Sequence, residues 1–299
     1  MAPGHHHGHG HGHTHDEMDW AARADRLKVA DHLAAEAYAE VAQRLTATAA
    51  LPAEPTVIDI GPGAGGMSAA LATELRSRGG GTVVLVDAVP ELLALAEAAV
   101  KDHGGAEVTV RTVLGDAAEV DFGEFRADLV WASAVVHHLP DQQAALTRIA
   151  KAVRPGGLLA VSEGGLESQN LPWDLGVGDP GIEQRLHAVG ADWFAALRAG
   201  MEGVVRMPHG WGVALTKAGL TDVGRFSYLV DKPVAPHSDA AAYVVERVRF
   251  MAEIAGDNLG EADRDALARL LDLNSPDYLG ARDDLFVLQT RTVHHGRAG

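Results

Sequence analysis

Five short apolar runs alternate with amphipathic segments between residues 56 and 165, and this alternation constrains the fold more than any other feature. The apolar runs have the length of strands, and the segments between them carry apolar residues at helical spacing. Strands that alternate with helices pair in parallel, because each helical crossover returns the chain to the same edge of the sheet. The pattern predicts a doubly wound α/β core with strands at Thr56–Ile60, Thr82–Val86, Glu107–Val113, Ala127–Ser133 and Leu158–Ser162.

The chain on either side of this core has a different pattern. Residues 19–48 have apolar residues at helical spacing and predict one long helix that Pro52 ends. After Glu163 the alternation stops, and residues 164–178 predict a loop. The remaining segments predict helices at 180–186, 193–197, 210–218, 240–254 and 261–271, and strands at 225–230 and 285–293.

These patterns divide the chain into five parts. They are a disordered tail rich in His and Gly (1–15), an N-terminal helical cap (16–50), the core (51–165), a helical lid (166–208) and a C-terminal part that completes the core with inserted helices (209–299).

Composition excludes several classes of function. The chain has no Cys, so Cys nucleophiles and Cys-ligated metal sites are excluded, and we expect no metal site in the core. Its 25 basic and 41 acidic residues give a formal charge of −16, which argues against a general nucleic-acid binder. No apolar run approaches the roughly 18 residues of a membrane span, and we expect no secretory signal because no cationic start is followed by an apolar core. We expect a cytoplasmic protein without a membrane or nucleic-acid partner.

The first predicted strand ends in a glycine loop, the segment VIDIGPGAGG at 57–66. Glycines at a strand-to-helix turn let a ligand approach the backbone closely, beside the N-terminus of the next helix. Gly61, Gly63 and Gly66 fit the dinucleotide pattern, whereas Gly61, Gly63 and Gly65 fit a second spacing. A glycine pattern alone is weak evidence, so the loop by itself does not identify the ligand.

Three acids at successive strand ends favour one kind of ligand. Asp59, two residues before the first glycine, would repel a diphosphate and suits a ligand with an ammonium group. Asp87 ends the second strand, where a carboxylate can accept hydrogen bonds from both ribose hydroxyls. Asp116 follows the third strand, where its oxygen can accept from an adenine amino group.

With these residues the sequence resembles a class I S-adenosylmethionine-dependent methyltransferase of the bacterial natural-product type. The resemblance rests on the glycine loop and on VLVDA at 84–88, LGDA at 114–117, DLVWASAVVHHLPD at 128–141 and RPGGLL at 154–159. It implies a Rossmann-like, mostly parallel seven-stranded sheet with an antiparallel last strand, for which 285–293 is the candidate. The cofactor it implies is S-adenosylmethionine.

The resemblance also implies roles for individual residues. The turn from Gly61 to Gly65 approaches the amino-acid part of the cofactor, with Asp59 on its ammonium side. Asp87 binds the ribose. The residues beside these groups are Ala88 near the ribose, Asp116 and Ala117 near the adenine, and Ser133 and His138 near the sulfonium.

The sequence does not identify which acceptor atom is methylated or which residue acts as the general base. Methyl transfer from a sulfonium depends mostly on positioning, but an acceptor hydroxyl or amine must also lose a proton. His137, His138 and Glu163 are the candidate bases, although a histidine at this strand end more often packs against the cofactor. We expect a small, aromatic or heterocyclic acceptor, methylated on oxygen, nitrogen or carbon.

Aromatic residues and histidines outside the core are candidates to bind this acceptor, although packing within the cap is an equally open interpretation. They are Trp20, His187, Trp193, His209 and Trp211. The helices at 240–254 and 261–271 serve either ordinary packing or contact with a second copy in a homodimer.

Three other functions remain open at this stage, and one of them is a metal-trafficking protein built around the His-rich residues 1–15. A nicotinamide-dependent oxidoreductase shares the glycine loop and Asp87, and a non-catalytic S-adenosylmethionine-binding module shares the whole cofactor motif. The seven His of residues 1–15 indicate a native tail, an engineered tag or loose nickel or zinc binding. We favour a tail without a catalytic role.

Overall fold

The computed structural model describes residues 24–299. Two predictions therefore lie outside the described residues, namely the tail at 1–15 and the acceptor contact at Trp20. Within the described residues, no helix is both long and apolar enough to cross a membrane.

Seven strands form one mixed sheet with the order β3-β2-β1-β4-β5-β7-β6. The first five strands pair in parallel, and β7 is antiparallel to both of its neighbours. The predicted α/β sheet with an antiparallel last strand is therefore confirmed. The strands are β1 (Thr56–Ile60), β2 (Gly81–Asp87), β3 (Val108–Leu114), β4 (Ala127–Ser133), β5 (Val153–Gln169), β6 (Leu220–Pro233) and β7 (Phe286–Ala298).

Eight α-helices pack around the sheet in the described part of the chain. They are α1 (Ala24–Ala49), α2 (Gly66–Ser77), α3 (Pro90–Gly104), α4 (Gln142–Ile149), α5 (Ile182–Ala199), α6 (Trp211–Lys217), α7 (Asp239–Ala255) and α8 (Glu261–Leu271). Helices α1, α2 and α3 cover one face of the sheet around Trp131 and Leu85. Helices α4 and α6 cover the other face around Ile58 and Leu146.

Three strands continue past the edge at which β4 ends. Ser133, the last residue of β4, pairs with Ser162, but β5 runs on to Gln169. The continuing residues are 163–169 of β5, 227–233 of β6 and 286–292 of β7, and we call them the strand extension. Helices α5, α7 and α8 pack beside it around a third apolar core, and we call these three helices the helical layer.

Two predictions after Glu163 were wrong. Residues 164–169 are not loop, because they pair with β7 across a bulge. Helix α5 is continuous where two helices were predicted, because residues on both sides of Gly190 pack beside α7. Leu186 lies in the shared apolar core, and Trp193 packs against Phe250. The Glu183 carboxylate then accepts hydrogen bonds from the backbone of Asn170 at 2.9 and 3.1 Å, which joins the end of the strand to α5.

Candidate active site

The glycine loop follows β1 at the carboxyl edge of the parallel strands. Gly61 and Gly65 have positive φ values of 66° and 95°, and a Cβ on them would lie 2.4 Å from Val135 Cγ2 and 2.7 Å from Ala96 Cα. These two glycines are required by the fold itself. Gly63 also has a positive φ of 59°, but a Cβ there would meet no atom within 4 Å among the described residues. The open side of the loop at Gly63 leaves room for a ligand.

Asp59 lies under this loop and is almost fully buried. Its Oδ2 accepts a hydrogen bond of 2.5 Å from Ser68 Oγ of α2, which holds the carboxyl group against the first turn of that helix. Burial raises the pKa of Asp59 to about 7, and the charges of Asp31 and Asp87 act in the same direction. A cation beside this carboxyl group would favour its ionised form.

Asp31 is a residue of this site that the sequence analysis missed. It projects from α1, and its Oδ2 accepts a hydrogen bond of 2.8 Å from the backbone N–H of Gly66, the first residue of α2. Burial raises its pKa to about 6, against the effect of this hydrogen bond. The available signal was an acid on the apolar face of α1, three residues before buried Ala34.

Asp87 ends β2 and lies next to the glycine loop. Its Oδ1 accepts from Val89 N at 2.9 Å. Burial raises its pKa, and hydrogen bonds from the backbone of Val89, Ala88 and Gly63 oppose that shift. The side chain of Asp87 is therefore held at the edge of the sheet, facing the open side of the loop.

Asp116 lies beside Asp87 because Gly115 N donates to the Asp87 carbonyl at 2.9 Å. The Asp116 carboxylate is exposed, and its Oδ1 accepts from Ala118 N at 2.6 Å, which closes a tight turn. Ala88 is exposed and Ala117 is half-buried. The structure thus gathers the predicted adenosine contacts at the ends of β2 and β3.

The end of β4 places a histidine against a buried acid. Ser133 is half-buried at the end of the strand, and Ala134, after it, has a positive φ of 54° that costs energy for a residue with a Cβ. Behind this turn the Glu163 carboxylate accepts from Val135 N at 3.0 Å and Val136 N at 2.7 Å. Its second oxygen lies 2.5 Å from His137 Nδ1.

Residues of the helical layer close over this histidine. The rings of His137 and His138 lie 3.9 Å apart, and Phe194 of α5 lies 5.8 Å from the first ring and 6.2 Å from the second. Arg198, in the last turn of α5, donates to the backbone carbonyls of His137 and Leu139. The sequence analysis named both histidines but not Phe194 or Arg198, because those contacts join distant parts of the chain.

The four described candidates for the acceptor site do not come together. His187 Nε2 lies 2.8 Å from the Ser168 carbonyl, and the Trp193 ring packs against Phe250 at 6.3 Å. His209 Nε2 lies 3.0 Å from Gln143 Oε1 on α4. Trp211 packs into the core between the sheet and helices α4 and α6, on the opposite face from Asp59.

The described residues contain no group of three or more His, Asp or Glu side chains arranged to hold a metal ion. The chemical character of the site therefore comes from an open glycine loop, three neighbouring carboxyl groups and a histidine fixed by a buried glutamate.

Part of the chain is similar to known methyltransferase sequences. Residues 58–161 match a family model described as a methyltransferase domain. An uncharacterized protein of Mycobacterium tuberculosis is 28% identical over 155 residues, which cover 48% of this chain and 54% of that protein. The 2-methyl-6-phytyl-1,4-hydroquinone methyltransferase of Synechocystis is 28% identical over 113 residues, which cover 38% of this chain and 33% of that enzyme.

The chain spans about half the length of the mycobacterial relatives it matches. Among solved structures, the YcgJ protein of Bacillus subtilis matches with a TM-score of 0.48 and 16% identity, over 86% of this chain and 98% of that one.

Proposed function

We propose that this chain transfers a methyl group from S-adenosylmethionine to a small acceptor, because residues 58–161 match a family model described as a methyltransferase domain. The proposed acceptor is an aromatic or heterocyclic metabolite of the natural-product type. Phe194 and the two histidine rings at the end of β4 support this choice, since they offer flat apolar surface beside the site.

The observation that carries the proposal is the carboxylate of Asp31 at the N-terminus of α2. In dinucleotide-binding folds, this helix end is the place that receives the diphosphate. Here Asp31 already accepts the hydrogen bond of Gly66, and Asp59 lies beneath the same turn. A diphosphate would meet two acids, whereas the ammonium and sulfonium groups of S-adenosylmethionine would meet opposite charge.

The residues at the strand ends fit this cofactor. We assign the ammonium side to Asp59, the ribose hydroxyls to Asp87 and the backbone approach to the open turn at Gly63. The adenine is assigned to Asp116 and Ala117, with Ala88 beside the ribose and with Ser133 and His138 towards the sulfonium.

When bound, S-adenosylmethionine supplies an electrophilic methyl group on a sulfur that leaves as a neutral thioether. The chain's own task is to align the acceptor and, for a hydroxyl or amine, to remove its proton. We assign proton removal to Nε2 of His137. Glu163 lies behind this ring and holds Nδ1–H, which leaves Nε2 as the acceptor nitrogen. Glu163 is thus a positioning residue, fixed by Val135 and Val136.

Calorimetry on the full chain tests the proposal. We expect S-adenosylhomocysteine to bind and NADH not to bind. The Asp87→Ala variant should bind S-adenosylhomocysteine about tenfold to a hundredfold more weakly, because it loses hydrogen bonds to a charged group. Asp102→Ala on α3 is the matched control, since that side chain is 85% exposed.

Three results would contradict these assignments. Tight NADH binding without binding of S-adenosylhomocysteine would exclude the methyltransferase proposal. Unchanged affinity of the Asp87→Ala variant for S-adenosylhomocysteine would exclude the ribose contact but not the rest of the proposal. Cofactor binding without methyl transfer to any of a broad panel of metabolites would favour a non-catalytic binding module.

A further inference from the structure

The strand extension lies beside the carboxyl edge of the sheet, where the proposed cofactor site is located. Arg291 of β7 pairs with Gly165 of β5 on one side and with Tyr228 of β6 on the other. Residues directly opposite each other on neighbouring strands point to the same face of a sheet. Tyr228 contacts α1, so Tyr228 and Arg291 lie on the face that also carries Asp59.

Tyr38 of α1 packs against the strand extension beside Tyr228. The rings of Tyr38 and Tyr228 lie 6.3 Å apart in an edge-on arrangement. Burial raises the pKa of both tyrosines, and the nearby positive charge of Arg291 opposes the shift in each. Asp31, whose carboxyl group is held at Gly66 beside the glycine loop, raises the pKa of both tyrosines as well.

Arg291 is half-buried without a carboxylate to neutralise it. It forms no ion pair within 4.0 Å with any residue of the described range 24–299. With the amide of Gln289 oriented to satisfy both groups, its oxygen accepts from Arg291 Nε at 2.9 Å and Nη2 at 2.8 Å. A guanidinium has five N–H donors in a planar fork, so donors remain for a ligand.

We propose that Arg291, with Tyr38 and Tyr228, binds the carboxylate of a small aromatic acid that is the methyl acceptor. The planar guanidinium matches a carboxylate, and charge-assisted hydrogen bonds of this kind are stronger than neutral ones. The two half-buried tyrosine rings provide the surface for the aromatic ring of the acid. This inference rests on the proposed function, whose cofactor site it adjoins, and it narrows the class of acceptor.

A matched pair of probes tests the inference. Salicylate and salicylamide share a ring and a phenol, and they differ only in the carboxylate. Each is titrated into the full chain saturated with S-adenosylhomocysteine, with binding followed by ligand-observed NMR. We expect salicylate to bind at least about tenfold more tightly, as for a charge-assisted hydrogen bond. Arg291→Gln should remove this preference and leave the affinity for S-adenosylhomocysteine unchanged.

The control is Arg225→Gln, an exposed arginine of the same sheet whose neighbour Phe226 lies in the core under α1, so that Arg225 points to the opposite face. It should keep the full preference for salicylate. If Arg291→Gln unfolds, Arg291→Lys keeps the charge but loses the planar fork, and it should lower the preference without lowering cofactor affinity.

The possible failures are distinguishable. A wild-type chain that does not bind S-adenosylhomocysteine overturns the proposed function. A wild-type complex that binds both probes equally, or an Arg291→Gln variant that keeps the preference, overturns only the carboxylate site. If the Arg291 variants weaken S-adenosylhomocysteine binding, Arg291 holds the cofactor's own carboxylate and the inference is wrong.

Discussion

Glu163 is the residue on which the orientation of His137 depends. A fully buried carboxylate is costly unless each oxygen accepts hydrogen bonds, and here two backbone N–H groups and one imidazole nitrogen satisfy it. The same bonds fix the turn after β4, in which Ala134 has a positive φ. Neither residue alone would give a histidine with one defined free nitrogen.

The Glu163→Gln variant should therefore lose activity without losing cofactor. A neutral amide is a weaker partner for His137 Nδ1–H and binds a protonated imidazole less well. We expect kcat to fall by about tenfold to a hundredfold, as for other groups that orient a functional histidine. Removing the ring in His137→Ala should cost about 10²–10⁴. Rates are measured as S-adenosylhomocysteine formed from any acceptor that the wild type methylates.

Glu167→Gln is the control on the same strand, because its side chain is 76% exposed. It should behave as wild type. A Glu163→Gln variant with unchanged kcat and an unchanged pH profile would show that the pair is purely structural.

The raised pKa values of Asp31 and Asp59 predict that stability and cofactor affinity change in opposite directions with pH. Their pKa values are raised from 3.8 to about 6 and about 7, so the folded protein holds protons that the unfolded chain releases. Their contribution to the free energy of unfolding therefore falls as pH rises from about 4 to about 7. A bound cation instead favours the ionised carboxyl groups, so its affinity should rise over the upper part of this range.

The ligand pair S-adenosylmethionine and S-adenosylhomocysteine separates the two effects. Only the first carries the sulfonium charge, so its affinity should increase more between pH 5.5 and 8, by about tenfold for one pKa unit. Calorimetry at several pH values should also detect protons released on binding. The Asp31→Asn variant should flatten this dependence, and equal pH profiles for the two ligands would contradict the electrostatic assignment.

At the scale of elements, the contact between α1 and α2 connects the N-terminal helix to the cofactor loop. A Cβ on Gly66 would lie 2.5 Å from Asp31 Cγ, so Gly66→Ala must displace the Asp31 side chain or shift one of the two helices. We expect about 1–3 kcal/mol lower stability, typical of overpacking, together with weaker binding of S-adenosylhomocysteine. Thermal unfolding and calorimetry measure the two effects.

Gly212→Ala is the matched control, because it also lies in a helix and its Cβ would make an ordinary contact of 3.7 Å with Val223. It should leave cofactor affinity unchanged and slightly raise stability, since Ala favours helix over Gly. A stable Gly66→Ala variant with full affinity would show that α1 does not shape the site.

The elements near the cofactor were predictable because their local patterns agree with the tertiary structure. Asp59, Asp87 and Asp116 follow strands whose positions the alternation of apolar runs indicates, and parallel strands bring their ends together. The extension of β5 and the continuous α5 were not predictable, because pairing with β7 and packing in the apolar core of the helical layer outweigh the local glycines.

The same reason explains the site residues that were missed. Asp31 and Tyr38 of α1, Phe194 of α5 and Arg291 of β7 reach the site from three elements that lie far apart in sequence, so no local spacing connects these elements. Pairs that were named separately, such as His137 and Glu163, acquire a joint role only through a contact across 26 positions.

At the scale of the whole molecule, the two faces of the sheet differ: one packs into an apolar core, and the other carries the acids of the proposed cofactor site. Helices α4 and α6 bury one face in a continuous apolar core, which holds Trp211. The face under α1, α2 and α3 carries the acids at the strand ends. The helical layer and the strand extension lie beyond that edge, and we propose that the acceptor enters between them and the cofactor.

Residues 1–15 contribute nothing to the formal charge of −16, and we predict that they have no role in cofactor binding. That segment has seven His and no charged side chain of another type, so deleting it leaves the formal charge and every acid of the site in place. We expect the deletion to leave affinity for S-adenosylhomocysteine and the unfolding temperature unchanged and to abolish retention on immobilised nickel. The full chain assayed in the same buffers is the reference. Loss of cofactor binding on deletion would instead give the His-rich segment a place in the site.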